Sequence, residues 1–184
     1  VLTNLADAAG IVNTDAATIN ADVDISAFPT PIVDKLANQH GLLNERAVLA
    51  HGIWLDEADR ALLADTGAQI AHSPSSNLFL GSGLFGWAAA EDAGVAISLA
   101  SDVGGGTSLS MQRTIADAYK VQALQHVKLP AWKALYTATR GAARALGLEH
   151  EIGSFDNGCM ADLALWDWAH GPVATVRDAA ARSL

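Results

Sequence analysis

Two histidines and an aspartate stand where apolar runs end. Ala47-Val48-Leu49-Ala50 leads into His51, Ala68-Gln69-Ile70-Ala71 into His72, and Val95-Ala96-Ile97-Ser98-Leu99-Ala100 into Ser101-Asp102-Val103-Gly104-Gly105-Gly106. The three exits lie 21 and 30 residues apart, long enough for parallel crossovers, which need about a dozen residues or more. Imidazoles and a carboxylate at neighbouring strand ends are the groups that move protons near neutral pH or hold a metal ion. The C-terminal ends of parallel strands are where α/β folds keep their chemistry, and three glycines let backbone pass close to a bound group. Each residue also has a plainer reading. A lone strand-end histidine is commonly a buried, hydrogen-bonded group, and an aspartate before glycine is commonly a helix cap. For Asp102 the expected cap is Thr107 or Ser108, further along the chain.

The intervening segments read as the elements that position these exits. Asp56 is a suitable N-cap for a helix that buries Leu62 and Leu63 and stops at Gly67. Ser73–Gly83, rich in Ser, Asn and Gly, reads as a loop, followed by a helix from about Leu84 to Ala93. Leu109–Gln125 carries Met111, Ile115, Ala118, Val121 and Leu124 at helical spacing, and a further helical region opens at Leu129-Pro130 and continues through Leu135, Ala138 and Ala142. Strand and helix alternate, so the fold class is α/β with a parallel sheet. Before the first exit, Ile32–Leu43 suggests a short helix ending at Gly41, while residues 1–31 carry no sustained period beyond an edge-strand alternation at Ala21–Ile25 and breaks at Pro29 and Pro31. After the last helix, 152–158 is turn-rich, Ala161–Asp167 alternates as a strand does, and a helix is expected from Val176.

Composition removes several classes of function. The 184 residues are 51% hydrophobic and carry a formal charge of −9, with no basic run to neutralise phosphates, so no nucleic-acid partner is expected. Cys159 is the sole cysteine, which excludes an internal disulfide and a cysteine-based zinc cluster. No apolar stretch of about 18 residues is present to span a membrane, and no signal peptide opens the sequence, so the expected compartment is the cytoplasm. There is no GxSxG elbow, no GxxxxGK[ST] phosphate loop, no HExxH, and no GxGxxG directly after a strand. His40, His126, His150 and His170 read as surface residues, and the five tryptophans are too scattered to form a stacking platform.

Ala50-His51-Gly52, Ala71-His72-Ser73-Pro74-Ser75-Ser76-Asn77-Leu78 and Ser101–Gly106 together resemble strands six, seven and eight of the metal-dependent amidohydrolase superfamily, and within it the guanine deaminases. Ser110-Met111 downstream and the tail Ile152-Gly153-Ser154-Phe155, Gly158 and Ala161-Asp162 extend the resemblance, which covers about residues 32–178. It implies a partial (β/α)8 TIM-type barrel over 32–150 and, over 151–184, a small β appendage returning into a sandwich domain with a truncated C-terminal helix. Residues 1–31 stay unassigned, as a sandwich-derived or unrelated segment. The implied activity is hydrolytic deamination of guanine to xanthine and ammonia with one zinc or iron per site. Carried over residue by residue, Asp102 binds the metal and shuttles a proton, His51 orients and helps activate the attacking water, and His72 and Asn77 shape the pocket behind them. The implied partner is a small purine, and a homo-oligomer is expected.

The sequence also departs from that pattern. The family's His-x-His pair of strand one is absent, as is its strand-five histidine followed three residues later by a glutamate, and no histidine precedes His40. A complete barrel takes about 250 residues. The expectation is therefore a C-terminal portion of such an enzyme, binding metal weakly and turning over little by itself. Two alternatives follow from the same residues: a non-catalytic half-barrel acting as an assembly module, or an amidohydrolase acting on another ring amine or amide.

Overall fold

The computed structural model describes residues 41–166. The sheet has three strands, β1 (Val48–Ala50), β2 (Gln69–His72) and β3 (Ala96–Leu99), in that spatial order and all parallel. The register pairs Leu49 with Ile70 and His72 with Leu99, so all three C-terminal ends open on one side. Central β2 is nearly all buried, whereas β1 is exposed at Val48 and Ala50. The apolar run of β1 is an edge here, and its residues meet a partner on one side among the described residues.

Helix α1 (Glu57–Thr66) crosses from β1 to β2. Asp56 caps it as its sequence position predicts: the side chain accepts from the Asp59 N–H at 2.8 Å, and Asp59 reciprocates at the Asp56 N–H. Gly67, left-handed at φ 72°, closes it. Leu63 is fully buried on its inner face.

From β2 to β3 the chain runs through α2 (Pro74–Phe79) and α3 (Trp87–Asp92). Helix α2 corrects the expectation of a loop over Ser73–Gly83. Proline sits at the start of α2, where its missing N–H costs nothing, and Pro74, Ser75, Ser76 and Asn77 are all buried. Helix α3 is shorter than expected because residues 80–86 form the connecting loop.

Beyond β3, α4 (Met111–Leu124) buries Ile115, Ala118 and Val121 but leaves Leu124 in solvent. Its N-cap position is Ser110, not Thr107 or Ser108. The following helical region is two elements, α5 (Ala131–Ala138) and α6 (Arg140–Ala145), broken at Thr139. There the backbone leaves helical angles (φ −129°, ψ −99°) and the Thr139 hydroxyl donates back to the Leu135 carbonyl at 2.7 Å. Both helices pack against β3. One core joins these layers around Leu63, Ile70, Phe85, Trp87, Leu99 and Ala118.

The alternating segment 161–166 is not a strand. Its residues form no strand ladder among the described residues, and Leu163 and Leu165 are 66% and 98% exposed. Alternation by itself does not build a ladder. The helix expected over Ile32–Leu43, apart from 41–43, the edge strand at Ala21–Ile25 and the helix from Val176 lie outside the described residues. Among the described residues, no helix is long and apolar enough to cross a membrane.

Candidate active site at the strand exits

Parallel register brings the exits of β1 and β3 to either side of β2, and local backbone then turns each functional side chain. His51 donates its N–H to the Ala71 carbonyl at 3.0 Å and then adopts φ +68°. Asp102 sits at φ +47°. Both are non-glycine residues in the left-handed region, a conformation that costs on the order of 1 kcal/mol or more and persists only where the surroundings impose it. After Asp102 the chain closes into a tight turn: Gly106 donates to the Asp102 carbonyl at 2.5 Å, and Val103 and Gly106 form an isolated bridge. A Cβ on Gly106 would lie 2.0 Å from the Ser101 carbonyl oxygen, so only glycine fits. Helix α2 holds the far side of this turn through Ser75, whose Oγ accepts from the Thr107 N–H at 3.2 Å and lies 2.8 Å from Thr107 Oγ1.

Three of the four residues singled out in the sequence come together at the rim. His51 Nδ1 lies 2.7 Å from Asn77 Oδ1. A carboxamide oxygen only accepts, so the pairing sets Nδ1 as the protonated nitrogen and leaves the Nε2 lone pair free. Nε2 points toward Asp102 Oδ2 at 3.8 Å. That separation is too long for a hydrogen bond and short enough for one bridging atom. The two side chains are 41% and 37% exposed, so their mutual attraction is screened and does not by itself organise the site.

The fourth residue, His72, is a wall rather than a partner. It is fully buried, stacked on Phe85 with ring centroids 4.7 Å apart and 28° between planes, and meets the edge of Trp87 at 6.1 Å. Burial, reinforced by the neighbouring His51, lowers its pKa to about 3, and it stays neutral at any ordinary pH. Neither ring nitrogen has a hydrogen-bond partner among the described residues. The aromatic wall is anchored from α4, where the Gln122 and Gln125 amides both donate to the Phe85 carbonyl, at 3.1 and 2.9 Å. Sequence reasoning missed Ser75, Phe85 and this glutamine pair. The serine was legible only as part of the 72–78 stretch, and the glutamines, one in the last turn of α4 and one at its C-cap, lie outside the apolar positions of its pattern.

One imidazole nitrogen and one carboxylate oxygen are suitable donors for zinc, which in catalytic sites takes three protein ligands and a water. Among the described residues no group of three His, Cys, Asp or Glu converges to hold a metal ion. The donor types fit such an ion, and the described set does not complete its coordination. Of the histidines read as surface, His126 and His150 are exposed, and His40 and His170 lie outside the described residues.

The described residues form an α/β layer with a small parallel sheet, and a histidine and an aspartate face each other at its C-terminal rim, where such folds keep their chemistry. The sequence matches the amidohydrolase family model over residues 15–181, and the chain belongs to the amidohydrolase family. It is 39% identical over 140 residues to the guanine deaminase of Escherichia coli K12, covering 76% of this chain and 32% of that protein. A solved E. coli guanine deaminase superposes with a TM-score of 0.67 at 41% identity, over 69% of this chain and 30% of the other. Similarity is nearly as high, 38% over 141 residues, to the 5-methylthioadenosine/S-adenosylhomocysteine deaminase of Pyrococcus furiosus, covering 74% of this chain and 32% of that protein. An adenosine deaminase from Xanthomonas campestris, solved with bound zinc, superposes with a TM-score of 0.68 at 32% identity, over 75% of this chain and 32% of its own. The chain spans about a third of the length of the curated relatives it matches.

Proposed function

We propose that this chain carries the strand-six to strand-eight part of the active site of a hydrolytic deaminase whose substrate is guanine. The observation that carries the reading is the convergence of His51, Asn77 and Asp102, with the His51 tautomer fixed by Asn77 and its Nε2 turned toward the Asp102 carboxylate. Similarity to a guanine deaminase and to a probable guanine deaminase of two bacteria, at 39% and 40% identity, supports guanine. Similarity of 36–38% to 5-methylthioadenosine/S-adenosylhomocysteine deaminases supports a second reading, in which the same residues act on an adenine ring.

A divalent metal bound at Asp102 would lower the pKa of its water toward neutrality and so supply a nucleophile. The work assigned to this chain is narrower. Asp102 would hold the metal through one carboxylate oxygen and take up a proton at the other. His51 accepts a hydrogen bond from the attacking water at Nε2, because Asn77 keeps the proton on Nδ1. His72, locked neutral and stacked on Phe85, closes the floor of the site without adding charge. With the metal set incomplete among the described residues, this chain alone binds metal weakly and turns over little. A zinc or iron ion is the expected cofactor.

The test is metal content, together with guanine and 5′-methylthioadenosine deamination, for this chain and for the complete gene product. Guanine activity in the complete product and little in the chain is the expected result. Activity only on the adenine compound would transfer the proposal to the second reading. No activity on either substrate from the complete product would leave the assembly-module alternative standing. Full activity in the 184-residue chain would refute the assignment of further ligands to other sequence.

A further inference from the structure

Helix α2 presents Ser76 to the glycine turn, and this residue has no role in the site described so far. Ser76 is fully buried, and its hydroxyl has no hydrogen-bond partner among the described residues. A buried hydroxyl left unpaired is costly, so its place needs a reason. The reason lies across the turn. A Cβ built on Gly105 would lie 2.8 Å from Ser76 Oγ and 3.1 Å from Asp102 Oδ2. Serine and carboxylate therefore press on the same small volume, which is open only because residue 105 has no side chain. Gly105 does not have the positive φ that would demand glycine for conformational reasons. It is glycine for space.

We infer that Ser76 and Gly105 are a matched pair that sets the position of the Asp102 carboxylate, with Ser76 as a positioning residue acting across the vacant Cβ volume of Gly105. The neighbouring Ser75 holds the same turn at Thr107, so the two serines meet it at the middle of its glycine stretch and just beyond its C-terminal end. The contact between Ser76 and Gly105 does not depend on metal. Its consequence for metal rests on the proposed role of Asp102.

The experiment is a double-mutant cycle in the complete gene product: Gly105→Ala, Ser76→Ala and the pair together, read by urea unfolding and by competition of the bound divalent metal against a chelator. Gly105→Ala drives a methyl group into Ser76 Oγ and Asp102, and is expected to weaken metal binding at least tenfold. Ser76→Ala removes the colliding oxygen, so the double variant should recover most of both stability and metal affinity. A double variant no better than Gly105→Ala, or a Gly105→Ala protein indistinguishable from the parent, overturns the pairing. Recovery of stability with metal affinity unchanged throughout would reduce the pair to packing and overturn the positioning role. A parent protein that binds no metal would defeat the proposed function instead, and the unfolding cycle would still decide the pairing.

Discussion

Acid should destabilise this fold through His72. The ring has an ordinary pKa of 6.5 when exposed and about 3 in the folded chain. The folded value is depressed, so the stability tied to the neutral ring is complete above pH 6.5 and is lost progressively as the pH falls toward 3. Between about pH 7.5 and about pH 5 the unfolded ring takes up a proton that the folded ring refuses, which removes about 2 kcal/mol. With a urea dependence of about 2 kcal/mol per molar for a chain of this size, the midpoint should fall by about 1 M from this residue alone. His72→Leu removes the titrating group while keeping the space against Phe85 and Trp87 filled. Since neither ring nitrogen has a hydrogen-bond partner among the described residues, the variant should be at least as stable as the parent near pH 7.5 and should lack that part of the acid loss. The assay is urea unfolding followed by far-ultraviolet circular dichroism at the two pH values. Equal midpoint shifts in parent and variant would refute the reasoning, because they would assign the acid sensitivity to other groups.

Other expectations follow from the site and its supports. Asp102→Asn in the complete gene product should abolish turnover with at least tenfold loss of metal affinity, measured by metal analysis after chelator challenge. His51→Ala should leave metal content near normal while lowering kcat by about 10²–10⁴-fold, the usual range for losing a positioned proton-transfer group; equal metal loss in both variants would contradict the separate roles. Asn77→Ala frees the His51 tautomer and should lower kcat by about 10- to 100-fold, as losing the partner of a site histidine commonly does. Asp56→Ala removes half of the α1 capping box and should cost about 1 kcal/mol in urea unfolding without changing metal binding.

How much of this was legible in the residues varies with the physics involved. The strand exits were readable because apolar runs end abruptly at His51, His72 and Asp102, and the α1 boundaries because Asp56 and Gly67 are strong local signals. Helix α2 was not, since Pro, Ser and Asn favour turns locally and are helical here because the whole first turn is buried. The left-handed backbone of His51 and Asp102 was illegible for a similar reason: no propensity predicts a conformation imposed by neighbours. The break at Thr139 hid inside a helical pattern that continues across it. At 161–166 the alternation was real as sequence, yet a strand is a property of two segments and not of one. His51, Asn77 and Asp102 were identifiable as candidates, but the pairing of His51 with Asn77 is visible only in the 2.7 Å contact between them.

The three-stranded sheet has one further consequence. Among the described residues, the outer edges of β1 and β3 pair with no further strand, and each presents backbone donors and acceptors along an open ladder. Expressed at high concentration, this chain would recruit another copy through those edges, in a process whose rate rises with the square of concentration. Purification yield should then fall as expression level rises. A short peptide that caps either edge would act as a solubilising additive, with no contact to His51 or Asp102 at all.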